Sequence, residues 1–187
     1  MSETPTTGHR TMVLAAGCFW CLDSLVRRLR GVTRVRSVYT GGSAETATYR
    51  AVCSGTTDHA EGVQITFDPE QLPAEVLLDV FFTSHDPTSL NRQGADVGPQ
   101  YRSAMFFRDE AERLEFQTAI KRAQSHYDRP IVTTLEPLGE VFEAEPEHQD
   151  FYARRPDVGY CWVVIDPKVA ALRRSYEPWL REEPLAG

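Results

Sequence analysis

AGCFWC, residues 16–21, lies where one hydrophobic pattern gives way to another. A short apolar run at 12–16 precedes it, and large aliphatic residues recur at helical spacing over 22–29. This pattern predicts a strand, a tight turn at Gly17 and a helix that begins at or next to Cys18. Helix N-termini favour anions, so we expect the Cys18 thiol to have a lowered pKa and a reactive thiolate. A buried, inert cysteine at a strand end is the simpler alternative.

The two cysteines of this stretch, Cys18 and Cys21, have C-x-x-C spacing. Residues three apart share one helix face, so a disulfide between them needs only local adjustment. A zinc site needs four ligands, and the only further candidates are Cys53 and His59, six residues apart. The spacing therefore favours a redox dithiol over a metal site, and we expect no metal and no cofactor.

Composition limits the classes of protein that the chain can belong to. Its 187 residues are 41% hydrophobic and 25% charged, as in ordinary globular proteins. A net charge of −7 without a basic run argues against nucleic-acid binding. The apolar run before Cys18 is too short for a signal sequence or a membrane span. Four cysteines in a chain this long are not a disulfide scaffold. We therefore expect a cytoplasmic protein without membrane contact. A monomer is our default expectation.

The order of predicted elements indicates the fold class. We expect residues 1–10 to be disordered, 11–180 to form one domain and 181–187 to be a flexible tail. Besides the first strand and helix, strands are predicted at 32–39, 60–67, 103–107, 131–135 and 160–165, and helices at 73–84, 109–125, 147–154 and from Pro167. This alternation predicts an α/β (α+β) two-layer sandwich with a ferredoxin-like core, a mixed sheet and long functional loops at 43–58 and 85–102.

Four polar side chains outside the dithiol are candidates for chemistry. Glu61 begins an apolar strand, and burial beside the aromatic residues after Cys18 would raise its pKa and make it a general acid. Tyr49 and Tyr101 lie in the two long loops, where their hydroxyls can donate hydrogen bonds to a polar oxygen. Asp96 lies in the same loop as Tyr101. A solvated carboxylate, packed surface tyrosines and a turn aspartate are the simpler alternatives.

Taken together, these residues resemble the A-type peptide methionine sulfoxide reductases, which reduce the S epimer of methionine sulfoxide. The resemblance spans about residues 11–175. The shared motifs are Gly17-Cys18-Phe19-Trp20, Tyr49 to Cys53 with Ser54-Gly55, His59-Ala60-Glu61, Asp68-Pro69, His85-Asp86-Pro87-Thr88, Asn91-Arg92-Gln93-Gly94, Asp96, Gly98-Pro99-Gln100-Tyr101-Arg102-Ser103, Phe142, Ala144-Glu145 and His148-Gln149.

The resemblance implies a role for each matching residue. Cys18 corresponds to the nucleophile that attacks the sulfoxide sulfur, which leaves a sulfenic acid. Glu61 corresponds to the acid that protonates the oxygen. The remaining matches are substrate-binding residues: Phe19 and Trp20 for the methyl group, Tyr49 and Tyr101 for the oxygen, and Asp96 as a further polar residue of the pocket. The family fold is also a two-layer α/β sandwich around a mixed sheet.

One departure from the family concerns the cysteine that resolves the sulfenic acid. The commoner motif has glycine where this chain has Cys21, and places its resolving cysteines in a C-terminal tail. Residues 162–187 contain no cysteine. We therefore predict a Cys18–Cys21 disulfide that is reduced by thioredoxin or a similar dithiol. Cys161 is the weaker contender, and we expect Cys53 and Cys161 to be buried apolar cysteines.

Two other functions remain open from the sequence. The first is a thioredoxin-like dithiol oxidoreductase that uses Cys18 and Cys21 and needs no role for Glu61. The second is a non-enzymatic metal- or peptide-binding module built on the same cysteines. The choice between free and protein-bound methionine sulfoxide, and the identity of the physiological reductant, also stay open.

Overall fold

A computed structural model describes residues 8–187; the disorder predicted for the first ten residues therefore falls mostly outside the described part of the chain. The helices and strands, in chain order, are β1 (Arg10–Ala16), α1 (Phe19–Val26), β2 (Val32–Thr40), α2 (Tyr49–Cys53), β3 (Ala60–Phe67), α3 (Ala74–Thr83), β4 (Arg92–Gln93), β5 (Asp96–Val97), β6 (Ser103–Phe107), α4 (Glu110–Gln124), β7 (Thr134–Pro137), β8 (Val141–Glu143), α5 (Phe151–Arg154) and α6 (Asp166–Ser175).

The main sheet has six strands in the order β7-β6-β1-β3-β2-β8. Only β6 and β7 pair in parallel; the other neighbours are antiparallel. The succession β1-α1-β2-β3-α3-β6, with β6-β1-β3-β2 side by side, is the ferredoxin-like unit of two interleaved β-α-β segments. The predicted two-layer α/β sandwich with a ferredoxin-like core and a mixed sheet is confirmed.

The central strand β1 is buried on both faces, which explains its unbroken apolar sequence. Met12 and Leu14 belong to the main core between the sheet and the helices. Val13 points to the opposite face and belongs to a small second cluster with Phe106, against which Leu138 packs. Because both faces are covered, β1 holds the residues that follow it, and so the start of α1, in a fixed position.

The strand predicted at 160–165 is wrong, because residues 159–175 are helical, with a π-helical turn at Cys161–Ile165 that runs directly into α6. The burial pattern has the helical period: Cys161 and Ile165 are buried, whereas Trp162 is 60% and Val163 is 75% exposed. A short apolar run is compatible with either a strand or a helix, and here the helix places one side of the run in the core.

Both segments predicted as loops contain short elements. Residues 43–58 hold α2, so Tyr49 begins a helical turn that Thr48 caps through its hydroxyl. Residues 85–102 hold the β4-β5 hairpin and a 3-10 turn that ends at Tyr101. The edge strand β8 is absent from the sequence-based prediction, and the strand expected at 131–135 is β7, which begins three residues later.

The C-terminal residues contact the helical layer. The Leu185 amide donates to the Arg27 carbonyl at 2.8 Å, and the Arg181 amide donates to the Arg28 carbonyl at 2.9 Å. The flexibility of residues 181–187 and the predicted domain boundaries stay predictions. Within residues 8–187, no helix is long and apolar enough to cross a membrane.

Candidate active site

The site is built on the turn between β1 and α1. Gly17 has a φ of +85°, and a Cβ there would lie 2.6 Å from Cγ of Gln93, so the turn and the close approach both require glycine. Cys18 follows as the N-cap of α1, and the Cys21 amide donates to its carbonyl at 3.1 Å. Both cysteines are free and buried, and they lie one turn apart on the same helix end.

The two thiols have pKa values shifted in opposite directions. Burial, the hydrogen bond with Cys21 and the charge of Glu61 raise the pKa of Cys18 well above its usual value. The same hydrogen bond lowers the pKa of Cys21 to about 7 against the effect of burial, with help from Lys168 and Tyr160. The lowered pKa expected for Cys18 from its helix N-terminus is therefore wrong, because burial and the nearby carboxyl outweigh the dipole.

Glu61 lies in β3 directly beneath the start of α1. Its carboxyl group is 1% exposed and accepts the Phe19 amide at 3.1 Å. Burial raises the pKa of Glu61 to about 8, and the charges of Asp96 and Cys21 add to this, while the Phe19 amide opposes it. Glu61 is therefore largely protonated at neutral pH and can donate a proton to a bound group.

Aromatic side chains form one wall beside the dithiol. Trp20 is half-buried, stacks on Phe151 with ring centroids 3.7 Å apart, and donates its Nε1–H to Nδ1 of His148 at 3.3 Å. The His148 ring in turn packs on the Tyr49 ring, with ring centroids 4.1 Å apart. Phe19 is 1% exposed and lies behind this wall, so Trp20 rather than Phe19 presents an apolar surface to a ligand.

Tyr49 and Tyr101 meet at the Cys53 thiol, which is within hydrogen-bond reach of both hydroxyls. Burial raises the pKa of both tyrosines, and the charges of Glu61 and Cys18 raise it further, so both remain hydroxyl donors close to the dithiol. Cys53 is exposed, so its prediction as a buried cysteine is wrong, whereas Cys161 is buried as predicted.

Asp96 approaches the dithiol from the Cys21 side. Its carboxylate accepts the Tyr160 hydroxyl at 2.7 Å, and that hydroxyl lies 3.6 Å from Sγ of Cys21. All eight candidate site residues named from the sequence thus surround one helix start. Tyr160 and His148, to which the sequence-based analysis gave no role, complete the surroundings.

A cavity of about 340 Å³ opens beside the dithiol. Cys18, Cys21, Asp96, Tyr160 and Lys168 are among its lining residues. The signal for Tyr160 and Lys168 was present in the sequence, because with Val164 they recur every four residues, which is a helical spacing. Within residues 8–187, no cluster of three or more histidine, cysteine and acidic side chains is placed to hold a metal ion.

Comparison with known proteins shows what this arrangement is related to. A sequence model of the family described as peptide methionine sulfoxide reductase matches residues 10–179. The chain is 53% identical over 171 residues to "Peptide methionine sulfoxide reductase MsrA" of Pseudarthrobacter chlorophenolicus, which covers 91% of this chain and 98% of that protein. The chain therefore belongs to the peptide methionine sulfoxide reductase family.

Solved structures agree with this assignment. The crystal structure of Mxr1 from Saccharomyces cerevisiae in reduced form matches with a TM-score of 0.77 at 30% identity, over 83% of this chain and 91% of that chain. Mxr1 in complex with Trx2 matches with a TM-score of 0.55 at 22% identity, over 81% of this chain and 89% of that chain, and shows the same fold.

Proposed function

We propose that the protein reduces methionine S-sulfoxide, free or in proteins, to methionine. The observation that carries this proposal is the carboxyl group of Glu61, buried and 3.1 Å from the amide of the residue that follows Cys18. A sulfoxide has a polar oxygen, an electrophilic sulfur and a small methyl group. The site offers an acid, a thiol and an aromatic wall to these three parts.

In the first step Cys18 attacks the sulfoxide sulfur. Its thiol hydrogen-bonds to Cys21, whose pKa of about 7 makes that sulfur a suitable proton acceptor as the attack proceeds. Glu61 donates its proton to the sulfoxide oxygen, while the Tyr49 and Tyr101 hydroxyls hold that oxygen by hydrogen bonds. Trp20 packs against the methyl group. The oxygen then moves from the methionine sulfur to Sγ of Cys18 as the Sγ–sulfur bond formed in the attack breaks, so methionine leaves and Cys18 carries the oxygen as a sulfenic acid.

In the second step Cys21 resolves the sulfenic acid. Its thiolate attacks Sγ of Cys18, the S–O bond breaks, and water leaves as the Cys18–Cys21 disulfide forms. Cys21 is one helical turn away and already hydrogen-bonded to Cys18, so little movement is needed. Cys161 is buried and donates its thiol to the Arg155 carbonyl, which supports Cys21 as the resolving residue.

A dithiol reductant then regenerates the enzyme by thiol–disulfide exchange. Thioredoxin is our candidate, because the related Mxr1 has been solved in complex with Trx2. The cytoplasmic location and the monomeric state predicted from the sequence are part of this proposal.

The experiment that tests this function is a single turnover without reductant. The reduced protein is mixed with a methionine S-sulfoxide substrate, and the products are analysed by mass spectrometry with peptide mapping. We expect one methionine per protein and a Cys18–Cys21 disulfide. A linkage from Cys18 to Cys161 or Cys53 would refute the resolver assignment but keep the reductase. Unchanged substrate together with a reduced Cys18 would refute the proposed function.

A further inference from the structure

The helical stretch 159–175 points one stripe of side chains into the cavity beside the dithiol. Tyr160, Val164 and Lys168 are four residues apart, and all three line that cavity together with Cys21. The π-helical turn Cys161–Ile165 lies within this stripe, and such turns are frequent at functional sites. The proposed reaction uses neither Val164 nor Lys168.

Lys168 is the only lysine or arginine among the described residues that line this cavity. Its ammonium group has no hydrogen-bond or ion-pair partner within residues 8–187. The two aspartates of the lining are already engaged: Asp86 pairs with Arg129 at 2.9 Å, and Asp96 accepts the Tyr160 hydroxyl. An unpaired cation therefore shares a cavity with a cysteine sulfur.

The groups that face the Cys21 sulfur come from several elements. Lys168, the Tyr160 hydroxyl and the Cys18 thiol favour its thiolate, whereas the negative charge of Asp96 opposes it. Glu61 of β3 and Cys161 also interact with Cys21 electrostatically. Lys168 supplies the only full positive charge in this set, and it offsets the charge of Asp96.

We propose that Lys168 is a positioning residue for the resolving step: its ammonium group, which belongs to the same cavity lining as Cys21, favours the thiolate that attacks the Cys18 sulfenic acid. This inference rests on the proposed function, in which Cys21 is the resolving cysteine. In the step itself the S–S bond forms and the S–O bond breaks. The oxygen leaves as water, and its second proton is the one that Cys21 gave up.

The test compares Lys168→Met, which removes the charge, with Lys168→Arg, which keeps it. Lys121→Met, on the exposed surface of α4, is the matched control for losing a lysine elsewhere. Each variant is oxidised by one equivalent of methionine S-sulfoxide, and the solution is then brought rapidly to a chosen pH. A dimedone-type trap reports the sulfenic acid, and mass spectrometry reports the disulfide.

We expect Lys168→Met to change how resolution depends on pH. Loss of the charge raises the pKa of Cys21, because Lys168 is one of the groups that lower it. Below pH 7 this leaves less thiolate, partly offset by its higher intrinsic nucleophilicity, so we expect resolution to be about threefold slower at pH 6. At pH 9 the thiolate is complete in both proteins, so the variant resolves as fast as the wild type or faster. Lys168→Arg and Lys121→Met keep the wild-type profile.

Two results would overturn this inference. One is an unchanged profile in both Lys168→Met and a second neutral variant, Lys168→Gln. The other is equal slowing at every pH, which indicates a structural role. These results differ from a failure of the proposed function, which shows in the wild type as an absent methionine burst or a disulfide that omits Cys21.

Discussion

Glu61 is the single residue on which the chemistry depends most directly. Its carboxyl group is buried, and its pKa of about 8 keeps it in the acid form at neutral pH. We expect Glu61→Gln to lower the rate of methionine formation by about 10²–10⁴-fold, because a glutamine amide cannot give up a proton to the leaving oxygen. The measurement is a single-turnover rate with methionine S-sulfoxide. Glu70→Gln, at an exposed position, is the control.

The same variant separates the proposed reductase from a thioredoxin-like dithiol oxidoreductase. Cys18 and Cys21 remain in place, so Glu61→Gln should exchange disulfides with a small dithiol at close to the wild-type rate. In the wild type we expect methionine formation to decline as the pH rises through about 8, where Glu61 loses its proton. Equal loss of sulfoxide reduction and disulfide exchange would contradict the assigned role of this acid.

The sequence identified these residue types but not all of their properties. Cys18, Cys21 and Glu61 could be chosen because C-x-x-C at a helix start and a carboxylate in an apolar strand are local patterns. The direction of the Cys18 pKa shift could not be predicted from the sequence, because it depends on burial and on a carboxyl group 43 positions later in the chain. His148 contacts Trp20 through tertiary packing alone, across 128 positions.

The turn between β1 and α1 depends on two elements that are far apart in the sequence. Gly17 of the turn lies against Gln93 of β4. Gln93 in turn bonds both ways to the Asp86 backbone, accepting its amide at 2.9 Å and donating to its carbonyl at 2.6 Å. The Gln93 side chain thus holds the 85–98 segment, which carries Asp96, in one conformation. Gly17 leaves room for the Gln93 side chain.

We therefore expect Gly17→Ala to lower the free energy of unfolding by about 2–4 kcal/mol. About 1 kcal/mol or more comes from a non-glycine residue at positive φ, and the rest from displacing Gln93. Urea denaturation measures both this variant and the double variant Gly17→Ala/Gln93→Ala. The double variant should be less destabilised than the sum of the single changes, because Gln93→Ala removes Cγ, the atom closest to the added Cβ at 2.6 Å, and leaves only Cβ at 2.9 Å. Strict additivity would show that the two residues are not coupled.

The wrong assignment of 160–165 shows where element prediction from sequence fails. An apolar run with two valines and an isoleucine has high strand propensity, but propensity is a weak guide once tertiary packing decides which side is buried. Here the packing buries Cys161 and Ile165 and leaves Trp162 and Val163 exposed. The strongly periodic helices, α3 and α4, were predicted to within one or two residues at each end.

The order of the main strands and helices from β1 to β7 could be predicted because it repeats a simple pattern. Strands alternate with amphipathic helices, and connections in such sheets follow few topologies. The edge strand β8 could not be predicted, since its three residues are held by β2 and carry little signal of their own. The contact between the helical layer and the sheet also includes a polar group that sequence alone would not reveal.

That group is His85, which joins the end of α3 to β6. The Phe81 carbonyl, 2.8 Å from Nδ1, can only accept, so Nδ1 carries the proton and Nε2 accepts the Ser103 hydroxyl at 2.7 Å. The Ser103 hydroxyl also forms a hydrogen bond with the Thr133 hydroxyl, which extends this series of hydrogen bonds. Burial lowers the pKa of His85 to about 3, so the imidazole is neutral in the folded protein above that pH.

This neutral histidine makes the stability of the whole molecule sensitive to acid. In the unfolded chain it takes up a proton below about pH 6.5, whereas the folded protein excludes that proton until about pH 3. The unfolded state therefore binds more protons in this range. The free energy of unfolding that His85 contributes is present above pH 6.5 and is lost, by up to about 4 kcal/mol, as the pH falls toward 3.

Urea denaturation of the wild type and of His85→Gln between pH 4 and 7.5 measures this contribution. The variant is expected to be less stable at pH 7 because it loses ring packing. Its deficit should shrink steadily below pH 6.5, since glutamine does not titrate and the other acidic groups are common to both proteins. A deficit that stays constant over this range would mean that the folded protein admits the proton, and that His85 does not keep the two layers together as a neutral group.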